Sequence, residues 1–256
     1  MAVTDTYSPD DSTAENVVIR IAHLRKQFGT RVVLNDFNVD LHKGESLVVL
    51  GRSGSGKSVL IKCIIGLLKP DGGDIFVLGK NIADMEHAEM DQLRSRIGFL
   101  FQSNALYDSM TIRENLEFPM RHHLRNLSNS EVNDMVMKTL ADVGLAHTVD
   151  MMPSELSGGM QKRVALARSL ILHPEIMLYD EPTTGLDPVT GREISTLITE
   201  VQKKYSTSSI IISHDMHCVK MTGDKIAVLI EGKCYALGTY EELERSTDHN
   251  VKQFFE

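Results

Sequence analysis

The sequence has few cysteines and no excess of positive charge, and each shortage excludes a class of protein. The three cysteines, Cys63, Cys218 and Cys234, form no C-x-x-C pair and lie in apolar contexts, which argues against a disulfide framework or a cysteine-bound metal. The formal net charge is -8 and no long basic run offsets it, so the chain lacks the charge that holds nucleic-acid phosphates. We therefore predict a protein of a reducing compartment that has no nucleic-acid partner.

The chain also lacks an apolar run long enough to cross a membrane. The apolar residues at 59–68 are interrupted by Lys62 and followed by Lys69 and Pro70, whereas a span needs about 18 uncharged apolar residues. Residues 1–15 are polar and acidic, match no secretory signal and are predicted to be a disordered tail. The remaining chain is long enough to bury a globular core. If the protein serves a membrane, we expect a partner to supply the span.

Alternation and apolar periodicity predict an α/β chain. β-branched content at 17–28 and alternation at 37–41 indicate a small N-terminal antiparallel sheet. Apolar runs typical of strands lie at 45–51, 74–79, 97–101, 176–181 and 208–213, with a closing hairpin at 226–230 and 235–237. Helical patterns lie at 57–68, 86–94, 161–172 and 189–205, and a capping box at 128–131 starts a helix that runs to residue 143. Pro119 is predicted to end a helical segment at 104–120.

A glycine-rich segment at 51–58, called the glycine loop below, matches the phosphate-binding pattern G-x-x-x-x-G-K-[ST]. It lies between a predicted strand and a predicted helix, which is the context that makes the match specific. Its candidate phosphate-binding residues are Gly51, Arg52, Ser53, Gly54, Ser55, Gly56, Lys57 and Ser58. The loop N–H groups are expected to cradle phosphates, Lys57 to reach the outer phosphates and Ser58 to bind Mg²⁺. For Arg52, a role near the phosphates and a solvated loop position are both open.

A second candidate phosphate site lies at the start of a later helix. Ser157, Gly158 and Gly159 precede the helical pattern at 161–172, and a helix start leaves N–H groups uncovered and carries partial positive charge. On local grounds alone, an ordinary capped glycine turn is the commoner outcome. Because the glycine loop is present as well, two phosphate-binding segments in so short a chain predict one nucleotide held between two subunits.

Two acids follow the apolar run at 176–179 and fall at the carboxyl end of a buried strand, where open α/β sheets bind ligands. Asp180 is predicted to hold Mg²⁺ through water, and Glu181 to act as the general base for the water that attacks the γ-phosphate. His214 follows the last core strand, a position where a lone histidine is more often a surface residue.

These motifs, in this order, resemble those of the ABC transporter ATPases, and the resemblance covers nearly the whole chain from residue 17 onward. It implies a P-loop NTPase fold of the RecA-like type, with a mostly parallel core sheet, an N-terminal antiparallel β subdomain and an inserted helical subdomain at about 103–173. Residues 16–246 would form one ATPase domain, followed by a tail at 247–256. The resemblance suggests that this tail clasps the second subunit, whereas a frayed end is the default.

The resemblance also implies roles that the residues alone leave open. Phe28 matches an aromatic that stacks on adenine, although the family more often has tyrosine there, and Gln102 matches a glutamine that ligates Mg²⁺. The segment at 156–161, called the signature segment below, would close on the nucleotide of the other subunit. Asp187 matches the loop that crosses the dimer interface, and His214 matches a histidine that contacts the γ-phosphate. By composition alone, Phe28 is equally an ordinary strand end and Gln102 an ordinary solvated side chain.

The implied protein binds ATP and Mg²⁺, forms a head-to-tail homodimer and drives integral-membrane permease subunits. Met160, the segment at 102–107 and the ending at 251–255 resemble the ATPases of MCE-type phospholipid transporters, the Mla system of Gram-negative envelopes. That resemblance implies a cytoplasmic protein, peripheral on the cytoplasmic face of the inner membrane, that powers phospholipid movement between membranes. The ATPase of another ABC importer or exporter and a non-transport ABC scaffold remain as alternatives.

Overall fold

The computed structural model describes residues 16–124 and 126–256, so the predicted tail at 1–15 lies outside the described residues. The described strands are β1 Val17–Phe28, β2 Arg31–His42, β3 Ser46–Leu50, β4 Gly72–Val77, β5 Lys80–Asn81, β6 Ile97–Leu100, β7 Ile176–Asp180, β8 Ser208–Ser213, β9 Lys225–Ile230 and β10 Lys233–Gly238. The described α-helices are α1 Lys57–Ile64, α2 His87–Ser95, α3 Ile112–His123, α4 Asn129–Asp142, α5 Gly158–Leu170, α6 Pro188–Tyr205, α7 Met216–Thr222, α8 Tyr240–Glu244 and α9 His249–Lys252.

The larger sheet has the strand order β10-β9-β3-β8-β7-β6. Its neighbouring strands are parallel except in the antiparallel hairpin of β9 and β10. Every residue of β3, β7 and β8 is buried. One face of this sheet packs on α1 and on a smaller antiparallel sheet, and the other face packs on helices. The predicted parallel strands and closing hairpin are confirmed. Parallel pairing brings the carboxyl ends of β3, β7 and β8 to one edge of the sheet.

The smaller sheet has the order β2-β1-β4-β5 and is antiparallel throughout. Its buried residues Ile19 and Ile21 belong to the same apolar cluster as Leu60 and Ile61 of α1. The predicted N-terminal antiparallel sheet is confirmed, but β2 begins six residues earlier than the alternation at 37–41 indicated. Asp36 adopts a left-handed conformation with a φ of 63°, and this irregularity breaks the alternation of the first half of the strand.

Helices α3, α4 and α5 lie between β6 and β7 in the chain and pack on one another around a shared apolar cluster. The capping box at Ser128 and Glu131 is present, and α4 ends one residue before the predicted Val143. Helix α5 begins at Gly158, three residues before the apolar pattern, because the Ser157 side chain caps it and lets both glycines enter the first turn.

Pro119 lies inside α3, so the prediction that it ends the helical segment is wrong. A proline in a helix interior removes one hydrogen bond and crowds the carbonyl four residues earlier, which costs about 3 kcal/mol. The flanking residues Leu116 and Met120 are 0% and 2% exposed, and burying each such side chain contributes about 1.5–3 kcal/mol. Packing of α3 on the core therefore offsets the local penalty.

The last ten residues pack against their own chain. Val251 of α9 is 2% exposed, and the rings of Phe255 and Tyr240 meet edge to face with centroids 5.3 Å apart. Asp248 accepts a hydrogen bond from the hydroxyl of Tyr235 at 3.0 Å. Across residues 16–124 and 126–256, no helix combines the length and apolar character that crossing a membrane requires.

Candidate functional site

The glycine loop joins the end of β3 to the start of α1, and its conformation depends on glycine. Gly54 and Gly56 have φ angles of 75° and 108°, which side-chain-bearing residues rarely adopt. A Cβ atom at Gly56 would lie 2.7 Å from Cγ1 of Val33 in β2. The loop is therefore held tightly against the smaller sheet while its backbone turns into the N-terminus of α1, where unpaired N–H groups favour an anion.

Lys57 is buried at the base of this loop, with 6% of its surface exposed. Its Nζ atom donates to the carbonyl oxygens of Gly51 at 2.8 Å and Arg52 at 3.2 Å, and lies 3.4 Å from Oε1 of Glu181. These contacts compensate the burial of the ammonium. They also place its positive charge where the loop amides converge.

Ser58 and Asp180 bring two oxygen atoms together beside Lys57. The Ser58 hydroxyl donates to Oδ1 of Asp180 at 3.0 Å, and burial raises the pKa of the Asp180 carboxyl. Residues 16–124 and 126–256 contain no group of three His, Cys, Asp or Glu residues placed to hold a metal. A hydroxyl and a carboxylate fit Mg²⁺, which prefers oxygen and keeps phosphate and water oxygens as its remaining ligands.

Glu181 is 8% exposed and has a left-handed backbone, with a φ of 51°. Such a conformation costs about 1–3 kcal/mol in a non-glycine residue and points to a functional constraint. Oε2 of Glu181 lies 2.7 Å from Nδ1 of His214, and Thr184 donates to the same oxygen at 3.4 Å. The carboxylate therefore lies between the buried Lys57 and the exposed ring of His214, at the edge where β7 and β8 end.

Phe28 lies at the end of the β1–β2 hairpin and is 47% exposed. The ammonium of Lys26 lies 5.3 Å from the centre of this ring. Arg31 pairs with Phe28 across the hairpin and donates from its guanidinium to the Gly54 carbonyl at 3.4 Å. The hairpin end is thus attached to the glycine loop, and Phe28 offers an open aromatic face nearby.

Gln102 lies apart from this group. It is exposed and follows β6, and its backbone carbonyl accepts a hydrogen bond from Nζ of Lys162 at 2.8 Å. Within the described ranges, no hydrogen bond joins the Gln102 side chain to Ser58 or Asp180. The structure therefore brings together Lys57, Ser58, Asp180, Glu181 and His214, and leaves the Mg²⁺ role of Gln102 as a prediction.

The signature segment and Asp187 form a separate, exposed region. The Ser157 hydroxyl accepts from the Met160 N–H at 3.3 Å. A Cβ atom at Gly158 would meet nothing within 4 Å, whereas one at Gly159 would lie 2.5 Å from Cγ2 of Thr190. Asp187 caps α6, and hydrogen bonds from Thr190 lower the pKa of its carboxyl. In the part of the chain that the structure describes, no hydrogen bond or ion pair joins this region to the glycine loop.

Sequence reasoning missed two cations, one that contacts the glycine loop and one that contacts the predicted Mg²⁺ ligand Gln102. Arg31 had no motif to mark it, because its contact to Gly54 depends on how the hairpin meets the loop. Lys162 is 2% exposed on α5, and it did carry a signal. It lies three and four residues before the buried Ala165 and Leu166, so a lysine interrupts the apolar face of the helix.

A buried parallel strand that runs into this glycine loop, with two carboxylates and a lysine at the same sheet edge, defines a P-loop nucleotide hydrolase. The family model described as ABC transporter matches residues 34–184, more than half of the chain. The chain belongs to the ABC transporter family of ATP-binding proteins. It is accordingly an ATP-hydrolysing transporter subunit that uses ATP and Mg²⁺, and cassettes of this family dimerise and work with membrane permease subunits.

Individual relatives and solved structures agree with this assignment. The probable ribonucleotide transport ATP-binding protein mkl of Mycobacterium leprae is 38% identical over 238 residues, covering 93% of this chain and 68% of the relative. The intermembrane phospholipid transport system ATP-binding protein MlaF of Haemophilus influenzae is 37% identical over 237 residues, covering 93% and 89%. A dimeric ATP-binding cassette solved in a post-hydrolysis state with ADP and Pi superposes with a TM-score of 0.78 at 29% identity, covering 86% of this chain and 98% of that chain. The predicted fold class is confirmed.

Proposed function

We propose that this chain powers a transporter that moves phospholipid between membranes, with permease subunits of the MCE type as its partners. The observation that carries the proposal is the similarity to the Haemophilus phospholipid transport protein, which spans 93% of this chain and 89% of that protein. The corresponding place of work is the cytoplasmic face of the inner membrane.

Ribonucleotide transport is the second candidate. The mycobacterial relative is as similar in sequence, at 38% identity, but the match covers only 68% of its length. The phospholipid proposal rests instead on the resemblance of Met160, the segment at 102–107 and the segment at 251–255 to phospholipid-transport ATPases, since sequence identity alone does not separate the two candidates.

We further propose that two copies assemble head to tail and that each nucleotide lies between the glycine loop of one and the signature segment of the other. The open space beside Gly158 and the exposed start of α5 support this arrangement. A helix start of this kind favours an anion, and no hydrogen bond or ion pair joins it to the glycine loop within the described residues. Asp187, exposed at the start of α6, would lie at the same interface. Residues 16–246 would then act as one ATPase domain.

At the glycine loop, the proposed chemistry is positioning and charge neutralisation. Loop amides and Lys57 take the phosphate oxygens, and the Lys57 ammonium exchanges its loop carbonyls for them. Ser58, Asp180 and Gln102 would hold Mg²⁺ directly or through water, and the ion would neutralise further charge on the phosphates. Glu181 accepts a proton from the attacking water.

His214 has a supporting role in this proposal. Its Nδ1 atom lies at hydrogen-bond distance from Oε2 of Glu181, so the ring orients the carboxylate. Its Nε2 edge is free to contact the γ-phosphate, because the ring is largely exposed. Phe28 stacks on the adenine ring at the far end of the nucleotide.

We also place the tail at 247–256 at the dimer interface. The Arg52 guanidinium donates to Oε1 of Gln253, so the tail already lies beside the glycine loop of its own chain. That position supports a contact with whatever closes on the loop. Unchanged dimerisation after deletion of residues 248–256, in a variant that still folds, would contradict this placement.

The test is affinity purification of the tagged chain from its native membranes in mild detergent, followed by identification of co-purifying proteins and bound lipids. Untagged membranes give the background. We expect an integral-membrane permease with an MCE-type subunit and bound phospholipid. Recovery of a different permease, in a complex whose ATPase activity is stimulated by ribonucleotides, would favour the second candidate. Recovery of soluble proteins alone would contradict both.

A further inference from the structure

Helix α5 carries two cations that hold the backbone of the loop following β6. Nζ of Lys162 donates to the carbonyl oxygens of Gln102 at 2.8 Å and Phe101 at 3.5 Å. The guanidinium of Arg168 donates to those of Ala105 at 2.6 Å and Asn104 at 2.9 Å. Four carbonyls within five residues are therefore held by the helix that begins with the signature segment.

Lys162 is the more unusual of the two, because only 2% of its surface is exposed. Among the described residues, no carboxylate lies within ion-pair distance of its Nζ atom, and the attraction of Asp180 acts from further away. Burial lowers the pKa of Lys162 to about 8. A buried ammonium held mainly by carbonyl oxygens is costly to the fold. Its position therefore calls for an explanation other than stability.

The loop that Lys162 holds has little regular structure of its own. Asn104 and Ala105 both have left-handed backbones, with φ angles of 63° and 51°. Oδ1 of Asn104 is buried without a hydrogen-bond partner. Such a path persists only when the surroundings determine it. The surroundings here are Lys162, Arg168 and the ring of Tyr107, which lies 5.9 Å from the Arg168 guanidinium carbon.

We propose that Lys162 is a positioning residue for ATP hydrolysis. By holding the Gln102 carbonyl, it fixes the backbone from which the Gln102 side chain would reach the Mg²⁺ of the chain's own nucleotide. Because Lys162 lies about one turn beyond Ser157–Gly159 on the same helix, it also ties this loop to the segment that faces the nucleotide of the second copy. The inference rests on the proposed Mg²⁺ role of Gln102.

The first test is Lys162→Met, which keeps the length of the side chain and removes its donors. In the purified protein without nucleotide, we expect amide hydrogen exchange at residues 101–107 to become at least about ten-fold faster. We expect kcat for ATP to fall about 10- to 100-fold and the half-saturating Mg²⁺ concentration to rise, while KM for ATP changes less than about two-fold. Unchanged exchange or unchanged kcat would overturn the proposal.

Two further variants separate positioning from general damage. Lys162→Arg keeps a cation and should restore kcat to within about three-fold of the wild type. Arg163→Met removes the neighbouring cation, which pairs with Glu193 at 2.6 Å instead of the loop, and should change neither exchange at 101–107 nor the Mg²⁺ dependence. Should Lys162→Met fail to fold, Lys162→Leu, which also lacks a donor, takes its place with the same expectations. An Arg163→Met variant with the same defects would overturn the proposal.

Gln102→Leu distinguishes a failure of the Lys162 inference from a failure of the proposed Mg²⁺ role of Gln102. If Gln102→Leu hydrolyses ATP at the wild-type rate, the Mg²⁺ role of Gln102 fails, and the inference fails with it. If Gln102→Leu is slow but Lys162→Met is not, the Lys162 inference alone fails. If both are slow, their combination should be no slower than Gln102→Leu, because residues that act in one unit are not additive. Additive losses would overturn the inference.

Discussion

The residues around the glycine loop and the region formed by the signature segment and Asp187 both carry phosphate-binding features, but they differ in burial and in their contacts. Lys57 and Glu181 are 6% and 8% exposed and contact each other. Ser157, Gly158 and Asp187 are exposed, and within the described residues the side-chain hydrogen bonds of Ser157 and Asp187 lie in the first turns of their own helices. One region has its charged groups arranged within the chain, whereas the other keeps its anion-binding groups facing outward.

This difference shows how a two-subunit site is encoded in one sequence. A buried charged group needs hydrogen-bond or ion-pair partners within the fold, so the residues around the glycine loop are joined by such contacts in the single chain. An interface group must remain available, so the signature side has caps and glycines but no partner from the glycine loop. The comparison predicts that changes on the first side alter both folding and chemistry, while changes on the second side alter chemistry with at most a small effect on folding.

The largest expected effect lies on the buried side. Glu181→Gln keeps the shape of the side chain and removes the base, so we expect kcat to fall about 10³-fold while ATP still binds. Because nucleotide is bound but not turned over, dimers should accumulate in size-exclusion chromatography with ATP. Single-turnover hydrolysis measures the chemical step. Glu193→Gln, an exposed carboxylate substitution, serves as the control. Turnover within about ten-fold of the wild type would refute the assignment.

The next largest effect lies on the exposed side. Gly158→Asp introduces a negative charge where the partner's phosphates are expected, and we expect hydrolysis to fall about 10²-fold. The melting temperature should not fall, since a Cβ atom at this position meets nothing and an acid in the first helical turn is favourable. Gly158→Ala controls for size without charge.

The exposed side also predicts an effect in trans. In mixed dimers of Gly158→Asp with Lys57→Ala, each combined dimer keeps at most one intact nucleotide site. The rate of ATP hydrolysis should therefore vary with the ratio of the two variants in the mixture. If such mixtures behaved as the sum of independent monomers, the two-subunit site would be wrong.

A smaller effect is expected at the hairpin end, which is exposed yet attached to the glycine loop. Phe28→Ala removes a stacking face and should raise KM for ATP about ten-fold, without lowering the melting temperature, because Phe28 is 47% exposed. Phe28→Tyr keeps the ring and should leave KM within about two-fold of the wild type. Equal KM values for the alanine and tyrosine variants would show that Phe28 does not touch the nucleotide.

The smallest effects concern stability and pH, where the two regions should respond with opposite signs. Burial raises the pKa of Asp180 above 3.8, so its ionised form costs stability at neutral pH and the cost disappears as the pH falls through the folded-state pKa. Asp180→Asn should therefore increase the free energy of unfolding at pH 7.

Asp187 gives the opposite sign. Hydrogen bonds lower its pKa, so its ionised form adds stability above pH 3.8 and loses it as the pH falls through the folded-state value. Asp187→Asn should slightly destabilise the protein at neutral pH. Chemical denaturation of both variants between pH 3 and pH 7 checks the signs. A destabilised Asp180→Asn at pH 7 would contradict the contrast.

Much of the fold follows from local patterns in the sequence. The strands before the glycine loop and before Asp180 are buried on both faces, so a continuous apolar run in the sequence predicts them. The apolar pattern does not mark a boundary that is set by a cap and glycines, as at the start of α5. Pro119 was misjudged because its penalty is local, whereas the packing of Leu116 and Met120 depends on the tertiary fold.

The candidate site was predictable to the extent that motifs mark it. The positions of Lys57, Ser58, Asp180, Glu181 and His214 in one group follow from strand order, which the sequence indicated through the family resemblance. The contacts of Arg31 and Lys162 join elements distant in sequence. No spacing rule encodes such contacts, so they required the structure.

The strand order also has a consequence for synthesis on the ribosome. The glycine loop follows β3, and β3 lies between β8 and β9, which end at Ser213 and Ile230. The antiparallel sheet of β1, β2 and β4 is complete once residue 77 has been made. The nucleotide-binding strand, in contrast, has no hydrogen-bonded neighbour until nearly the whole chain has emerged, and long-range pairing of this kind is slow. A nascent chain therefore exposes an unpaired apolar edge during most of its translation, and a chain that stops before β9 never completes the glycine-loop side of the site.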